Sequence, residues 1–204
     1  REGVNVNTAF LANYSVELEK ESAEIEKTIY EQAGVQFNIA SPKQLGEVLF
    51  DHMKLDAKAK KTKTGQYKTD EATLTKLADV HALPKMILEY RHNQKLKSTY
   101  VDAIPRLVNP NTNRVHTNFA QAVAATGRLS STNPNLQNIP IRTDKGREIR
   151  KAFIPRDENH ILVAADYSQI ELRIVASMSG DEAMSEASVN GLDIHTATAA
   201  KVFG

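Results

Sequence analysis

Residues 161 to 173 read ILVAADYSQIELR, and the whole chain is organised around this stretch. Ile161 to Ala165 is a short, unbroken apolar run with two β-branched residues. Its length and composition predict a strand buried on both faces, although a run this short would also suit a buried helical turn. Asp166 follows at once. An ionised carboxylate ending a buried strand is costly unless something pairs with it, and in an oxygen-only setting a bound cation is the usual partner. After Asp166 the period changes: Ile170, Ile174, Val175 and Met178 recur at helical spacing. Ser168 is placed to cap that helix and Gly180 to end it. The expected unit is strand, carboxylate, tight turn, helix.

Upstream lies a second run without regular periodicity, TGRLSSTNPNLQNIP, from Thr126 to Pro140. It is too polar and too rich in turn formers for a regular element, yet Arg128, Asn135, Gln137 and Asn138 are side chains suited to holding and reading. The minor groove of a duplex offers purine N3 and pyrimidine O2 acceptors in nearly the same place at every base pair. A planar donor fork such as Arg128 can therefore test pair geometry without reading sequence. At least one of the amides is expected only to satisfy the loop's own backbone.

These two runs, in this order and spacing, closely resemble family A DNA polymerases, the DNA polymerase I type. The resemblance extends over essentially the whole chain, from VNVNTAFL through FNIASPKQLGEVLF and KTKTGQYKT to DIHTATAAKVFG. It implies an α+β fold: a mainly helical thumb over 1–99 with a basic tip loop at 54–69, then a partial palm with a β-sheet core over 100–204. Within the latter fall the minor-groove loop, 126–140, and the metal-binding motif, 161–173. The implied activity is template-directed nucleotidyl transfer to a primer 3'-hydroxyl, with primer-template DNA and deoxynucleoside triphosphates as partners.

The implied cofactor is Mg²⁺, two ions roughly 4 Å apart that activate the hydroxyl and neutralise charge developing on the phosphate. Asp166 is assigned as the bridging carboxylate and the Tyr167 carbonyl as an accessory ligand, because magnesium keeps substrate phosphates and water in its octahedron. Glu171 matches the family's steric gate, which excludes a ribose 2'-hydroxyl by a clash against the wrong substrate. Ser168 and Gln169 are expected to shape the same pocket. The residue matching Arg128 contacts the primer terminus, and those matching Asn135, Gln137 and Asn138 the duplex nearby. His195 matches a histidine near the incoming triphosphate, and its expected place in the first turn of a last helix suits an anion.

The 204 residues carry a net charge of +1, which hides strong local asymmetry. Glu17, Glu19, Glu21, Glu24, Glu26 and Glu31 make the first stretch acidic, whereas Lys54, Lys58, Lys60, Lys61, Lys63 and Lys68 face a single acid, Asp56. A segment this polar cannot pack a core and reads as an exposed loop. It is either a solvated loop or a phosphate-binding tip; clustering favours the second, with Lys61 and Lys63 as duplex contacts. Arg91 and Lys95 match positions near the DNA backbone in the family but would serve equally as helix-surface cations. Arg142, Lys145, Arg147, Arg150 and Lys151 form a second basic group between the two motifs.

Elsewhere the elements follow from period and punctuation. A long helix with an apolar stripe at Phe10, Leu11, Tyr14, Leu18, Ile25, Ile29 and Tyr30 is expected to start at Asn7 or Thr8 and stop at Gly34. Ser41-Pro42 opens a second helix and Asp70 or Thr69 a third, carrying Leu74, Leu77 and Ala78, whose pattern Pro84 is expected to interrupt before Ile87 and Leu88 resume it. Extended backbone is expected over 115–125, and Asp181 to Val189 and Ile194 to Phe203 close the chain as helices.

No cysteine excludes a disulfide framework and a thiolate metal site and fits a reducing compartment, cytoplasmic or viral within a host cytoplasm. No apolar run is long enough for a membrane span, and a monomer is expected. The family's fingers helix and its second metal-binding carboxylate do not precede Gly204, so a fragment inactive alone is expected. A non-catalytic duplex-binding module is the alternative. A carboxylate at Asp166 with Glu171 five residues on favours the enzyme.

Overall fold

In the computed structural model, residues 2–203 are described. They form two units by contact, one running to Ile161 and one from Leu162 onward.

The first unit is built on two helices that each contribute to both of its apolar clusters. Strand β1 (Asn5–Val6) leads into α1 (Thr8–Ala33) through Asn7, whose side chain accepts from the Phe10 N–H at 2.9 Å. Gly34 ends α1 at φ +68, its N–H returning to the Tyr30 carbonyl at 2.9 Å. A left-handed residue closes a helix this way, and glycine adopts it without a Cβ penalty. Ser41 caps α2 (Pro42–Gly46), which widens into a π-type turn over Glu47–His52. Asp70 caps α3 (Glu71–Ala78), accepting from the Thr73 N–H at 2.9 Å, and that bonding holds its carboxyl below the usual range.

Helix α4 (Ala82–Leu96) is capped by His81, whose Nδ1 accepts from the Leu83 N–H at 3.1 Å. Pro84 therefore lies in the first turn of α4 and does not interrupt it, because the N–H that proline lacks has no partner there in any helix. A second π-type turn, Lys97–Val101, carries α4 on to α5 (Ala103–Arg106).

Apolar residues gather in two clusters. One joins Leu11, Tyr14 and Leu18 of α1 to Leu96, Tyr100, Ile104 and Ile149; the other joins Ile29 to Leu45, Leu49, Leu74, Leu83 and Ile87. Helices α1 and α4 contribute to both. Each fully buried leucine contributes on the order of 2 kcal/mol relative to exposure, so the shared helices are what hold this unit together.

The α+β class holds, but the expected β-sheet core does not form among the described residues. Pairs of short antiparallel strands take its place: β2 (Val108–Asn109) with β3 (Arg114–Val115), β4 (Asn118–Ala120) with β5 (Ser130–Thr132), and β1 with β6 (Phe153–Ile154). In the last pair Asn5 faces Ile154 and Val6 faces Phe153, stapling the two ends of the unit. The turn-rich Asn109–Asn113 segment closes the β2–β3 hairpin, with the Asn109 side chain accepting from the Asn111 N–H at 2.8 Å. Helix α6 (Asp144–Arg150), capped by Thr143, packs Ile149 into the first cluster.

The second unit holds α7 (Ile170–Ser179), α8 (Glu182–Val189) and α9 (Ile194–Phe203). Gly180 ends α7 at φ +68, as its place in the sequence predicts, while Asp181 caps α8 and Asp193 caps α9.

The expected buried strand at Ile161 to Ala165 is the principal correction. Among the described residues it pairs with no strand, and Ile161, Leu162 and Val163 are 82%, 59% and 79% exposed. A strand buried on both faces needs a ladder partner at each edge and cover above and below, and nothing described provides either. No regular element forms through this stretch. Among the described residues, no helix is long and apolar enough to cross a membrane.

Candidate nucleic-acid interface and metal-binding turn

In the first unit the lysine-rich segment is a built hairpin. The Lys68 N–H donates to the Lys60 carbonyl at 2.9 Å and the Thr62 N–H to the Gln66 carbonyl at 2.7 Å, with Lys61 bridged to Tyr67. Lys58, Lys60, Lys61, Lys63 and Lys68 are all exposed. The expectation that nothing here packs is half right. Tyr67 folds back onto the second cluster, its ring 4.9 Å from that of Phe50 and its hydroxyl donating to Asp51 at 2.6 Å. Lys61 Nζ stands 4.5 Å above the same ring, a placement that fixes one lysine of the group by cation–π attraction.

Arg91 belongs to the foundation of this hairpin. Half-buried on α4, it donates from Nη1 to the Thr69 carbonyl at 2.5 Å, and burial draws its pKa down from the ordinary value. It borders a cavity of about 600 Å³ whose lining includes Tyr67, Lys68, Thr69, Tyr90 and Gln94. Lys95, one turn further along α4, is exposed. Tyr67, Thr69 and the anchoring role of Arg91 are missed by sequence reasoning. The one available signal was an aromatic in an otherwise polar, basic segment.

Gly46 limits how the hairpin sits, since a Cβ there would lie 2.8 Å from Tyr67 Cβ. Gly46→Ala is expected to displace Tyr67 and cost about 1–3 kcal/mol, as overpacking does. Thermal melting would register the loss, together with faster exchange of the Lys68 amide proton. Unchanged exchange would mean that Tyr67 does not hold the hairpin.

The loop at 126–140 contains a short element after all, β5, which pairs with β4 in the register Asn118 to Thr132. Arg128, Asn135, Gln137 and Asn138 are exposed. Asn135 spends its side-chain oxygen on the Gln137 N–H at 3.0 Å, so it is the amide that serves the loop itself. The carbonyl of Asn138 accepts from the Tyr100 hydroxyl at 2.6 Å, tying the end of the loop to the first cluster. Of the second basic group, Lys145 pairs with Glu21 at 2.5 Å and Asn93 at 2.9 Å, Arg150 donates to the Ile139 carbonyl at 3.0 Å, and Lys151 pairs with Glu148 at 2.5 Å. Arg147 is tied to Asp144. These four side chains support the loop and α6.

In the second unit, Asp166 is exposed and Tyr167 is 80% exposed, so the expected buried carboxylate is corrected along with the strand that was to bury it. Ser168 does not cap α7. The residue before the helix is Gln169, at φ +52, and it supplies no side-chain cap. Ser168 instead gives its carbonyl to Arg173 Nε at 2.8 Å. Glu171 is exposed in the first turn of α7 and His195 in the first turn of α9. Gln169 joins these two helix starts: its Oε1 accepts from the Ile194 N–H at 3.1 Å and its Nε2 donates to Asp193.

Among the described residues no three His, Asp or Glu side chains converge as a metal site. Asp166 and the Tyr167 carbonyl are hard oxygen donors on an exposed turn, a donor set that fits a magnesium ion retaining water and substrate oxygens.

Comparison with known proteins gives the class. The sequence model of DNA polymerase family A matches residues 8–204. DNA polymerase I of Deinococcus radiodurans is 53% identical over 99% of this chain, which covers 21% of that protein. The enzyme of Geobacillus stearothermophilus is 51% identical over 98% of the chain, covering 23% of its length. The solved POL domain of Pol1 from M. smegmatis, in complex with DNA primer-template and dNTP, superposes with a TM-score of 0.86 at 43% identity, covering 98% of this chain and 35% of that one. This chain belongs to DNA polymerase family A. It spans about a fifth of the length of the curated relatives it matches.

Proposed function

We propose that this chain is the thumb and part of the palm of a DNA-directed DNA polymerase, a nucleotidyltransferase that extends a primer 3'-hydroxyl on a template. The observation that carries the reading is likeness in both sequence and fold, over 98% of the chain, to a polymerase domain solved with primer-template and dNTP. The 1–99 region with its basic hairpin is the duplex grip. Lys61, Lys63 and Lys95 contact phosphates, which contributes affinity without sequence information. Arg91 sets the hairpin's base and adds charge behind it. Arg128, Gln137 and Asn138 meet the minor-groove side of the primer end, with Asn135 shaping the loop. The enzyme acts as a monomer in the cytoplasm.

In the 100–204 region, Asp166 and the Tyr167 carbonyl hold Mg²⁺. Bound there, the metal lowers the cost of charge developing in phosphoryl transfer. Glu171 borders the sugar, and His195 meets the triphosphate of the incoming nucleotide from the start of α9.

Mg²⁺-dependent primer extension by the full-length protein tests the reading. Extension supports it; intact duplex binding without extension would leave a duplex-binding module. Glu171→Ala is expected to retain extension while discrimination against ribonucleotides falls by about 10–200-fold, the scale on which one small group does or does not fit a pocket. Competition between dNTP and rNTP gives that ratio directly, and an unchanged value would remove Glu171 from the gate.

A further inference from the structure

The turn that follows Asp166 is fixed by more than its backbone. Gln169 sits in the left-handed region, at φ +52, where side chains other than Asn, Asp and Gly are uncommon. Its side chain leaves α7 uncapped and reaches the start of α9, where both ends of the amide are engaged. The oxygen accepts from the Ile194 N–H at 3.1 Å, and the nitrogen donates to the Asp193 carboxylate. Asp193 in turn caps α9, accepting from the Thr196 N–H at 2.7 Å, and that bond holds its carboxyl below the usual carboxylate range.

Arg173 fastens the turn from its other side. It donates from Nε to the Ser168 carbonyl at 2.8 Å and from Nη1 to the Ser188 carbonyl at 3.3 Å, at the end of α8. Among the described residues, the buried apolar ones of this unit are Ala176, Ala187 and Ile194, all small apart from one isoleucine. Apolar burial on that scale aligns three helices weakly. The hydrogen bonds of Gln169 and Arg173 therefore determine where the helix starts lie.

We infer that Gln169 is a positioning residue: its amide sets the start of α9, and with it His195, in register with the turn that carries Asp166. The inference rests on the roles proposed above for His195 and Asp166. It adds a positioning role to the expected place of Gln169 beside the nucleotide pocket, since each end of the amide makes one bond and keeps a second N–H and a second lone pair. Glutamine suits the task chemically. One group must accept from a backbone N–H and donate to a carboxylate, which glutamate cannot do and asparagine is too short to do from the same backbone.

Steady-state dNTP incorporation by the full-length protein tests this with Gln169→Gly, His195→Ala and the double variant. Glycine suits the left-handed backbone, so its effect reports loss of the amide alone. Gln169→Gly is expected to raise KM for dNTP about tenfold with kcat within about twofold, a loss of ground-state and transition-state binding alike. His195→Ala should raise KM by a similar factor, and the double variant should be no worse than His195→Ala, because residues acting through one another are not additive. Gln169→Glu, which sets a second carboxylate against Asp193, should raise KM at least as far as the glycine variant.

Additive effects in the double variant would mean that Gln169 acts independently, and would overturn the inference. So would a Gln169→Gly protein whose circular dichroism and duplex affinity fall together with its KM effect. If His195→Ala raises KM and Gln169→Gly does not, the inference alone fails. If His195→Ala leaves KM unchanged, the triphosphate role of His195 fails and the inference with it.

Discussion

Asp166→Ala in the full-length protein is expected to lower Mg²⁺-dependent primer extension by about a thousandfold or more while duplex affinity stays within about twofold. Electrostatic stabilisation by a catalytic metal amounts to several kcal/mol, and each 1.4 kcal/mol is about tenfold in rate. The site makes the test clean. Asp166 is exposed and outside any regular element, so its removal leaves neither a cavity nor an unpaired buried partner, and surface substitutions of this kind usually shift stability by no more than about 0.5 kcal/mol. A lost rate therefore reports lost chemistry. Duplex affinity should hold because the basic hairpin and the loop at 126–140, which carry the proposed DNA contacts, belong to the other unit. Asp166→Asn sharpens the result: it keeps the shape and removes the charge, and the proposed role predicts nearly the same loss. Extension within tenfold of the native protein in the alanine variant would rule out Asp166 as a metal ligand essential to the reaction.

The local signals in the sequence proved the more dependable. Ser41 is read as a cap and acts as one, and of the pairs Asn7 or Thr8 and Asp70 or Thr69 it is Asn7 and Asp70 that cap, because a cap needs only a side-chain oxygen and an N–H three residues away. Gly34 and Gly180 end their helices for an equally local reason. Ile161 to Ala165 shows the opposite case. Its composition is that of a buried strand, but burial is a property of neighbours, and the described residues include no strand beside it. The exposure of Asp166 follows from the same fact.

The candidate site divides along the same line. The residue types that motif matching picks out, Asp166, Glu171 and His195, lie at helix starts or on the turn before one. The side chains that hold them in place are less visible. Nothing local marks Gln169 as reaching Asp193, a pair 24 residues apart, or Tyr67 as packing on Phe50, because each contact depends on how two elements meet. Pro84 is a related case: the helical pattern breaks just ahead of it, between Ala78 and Ala82, and proline stops a helix or starts one according to where the cap lies, here at His81.

Leu18→Ala and Ile29→Ala, tested separately, are each expected to destabilise the first unit by about 2–5 kcal/mol, the range for large-to-small changes at fully buried positions. Leu18 is 1% exposed in the cluster that also holds Leu96 and Ile149, and Ile29 is fully buried in the cluster that holds Leu45, Leu74 and Ile87. For a chain of this size, the melting temperature should fall by roughly 2–4 °C for each kcal/mol lost. The more telling expectation is that both variants still melt in one transition. The two clusters share no buried residue, but α1 runs unbroken through both and α4 feeds both, so neither can lose its order without unwinding a helix the other requires. Helix formation is cooperative and a broken helix must nucleate again, which opposes separate melting. Circular dichroism at 222 nm, followed with tyrosine fluorescence, would decide. Coincident curves in both variants support a single cooperative unit. An Ile29→Ala protein that loses the basic hairpin's protection at low temperature while the first cluster melts later would show two independent folding units joined by their helices, and the grip on duplex would then be separable from the loop at 126–140.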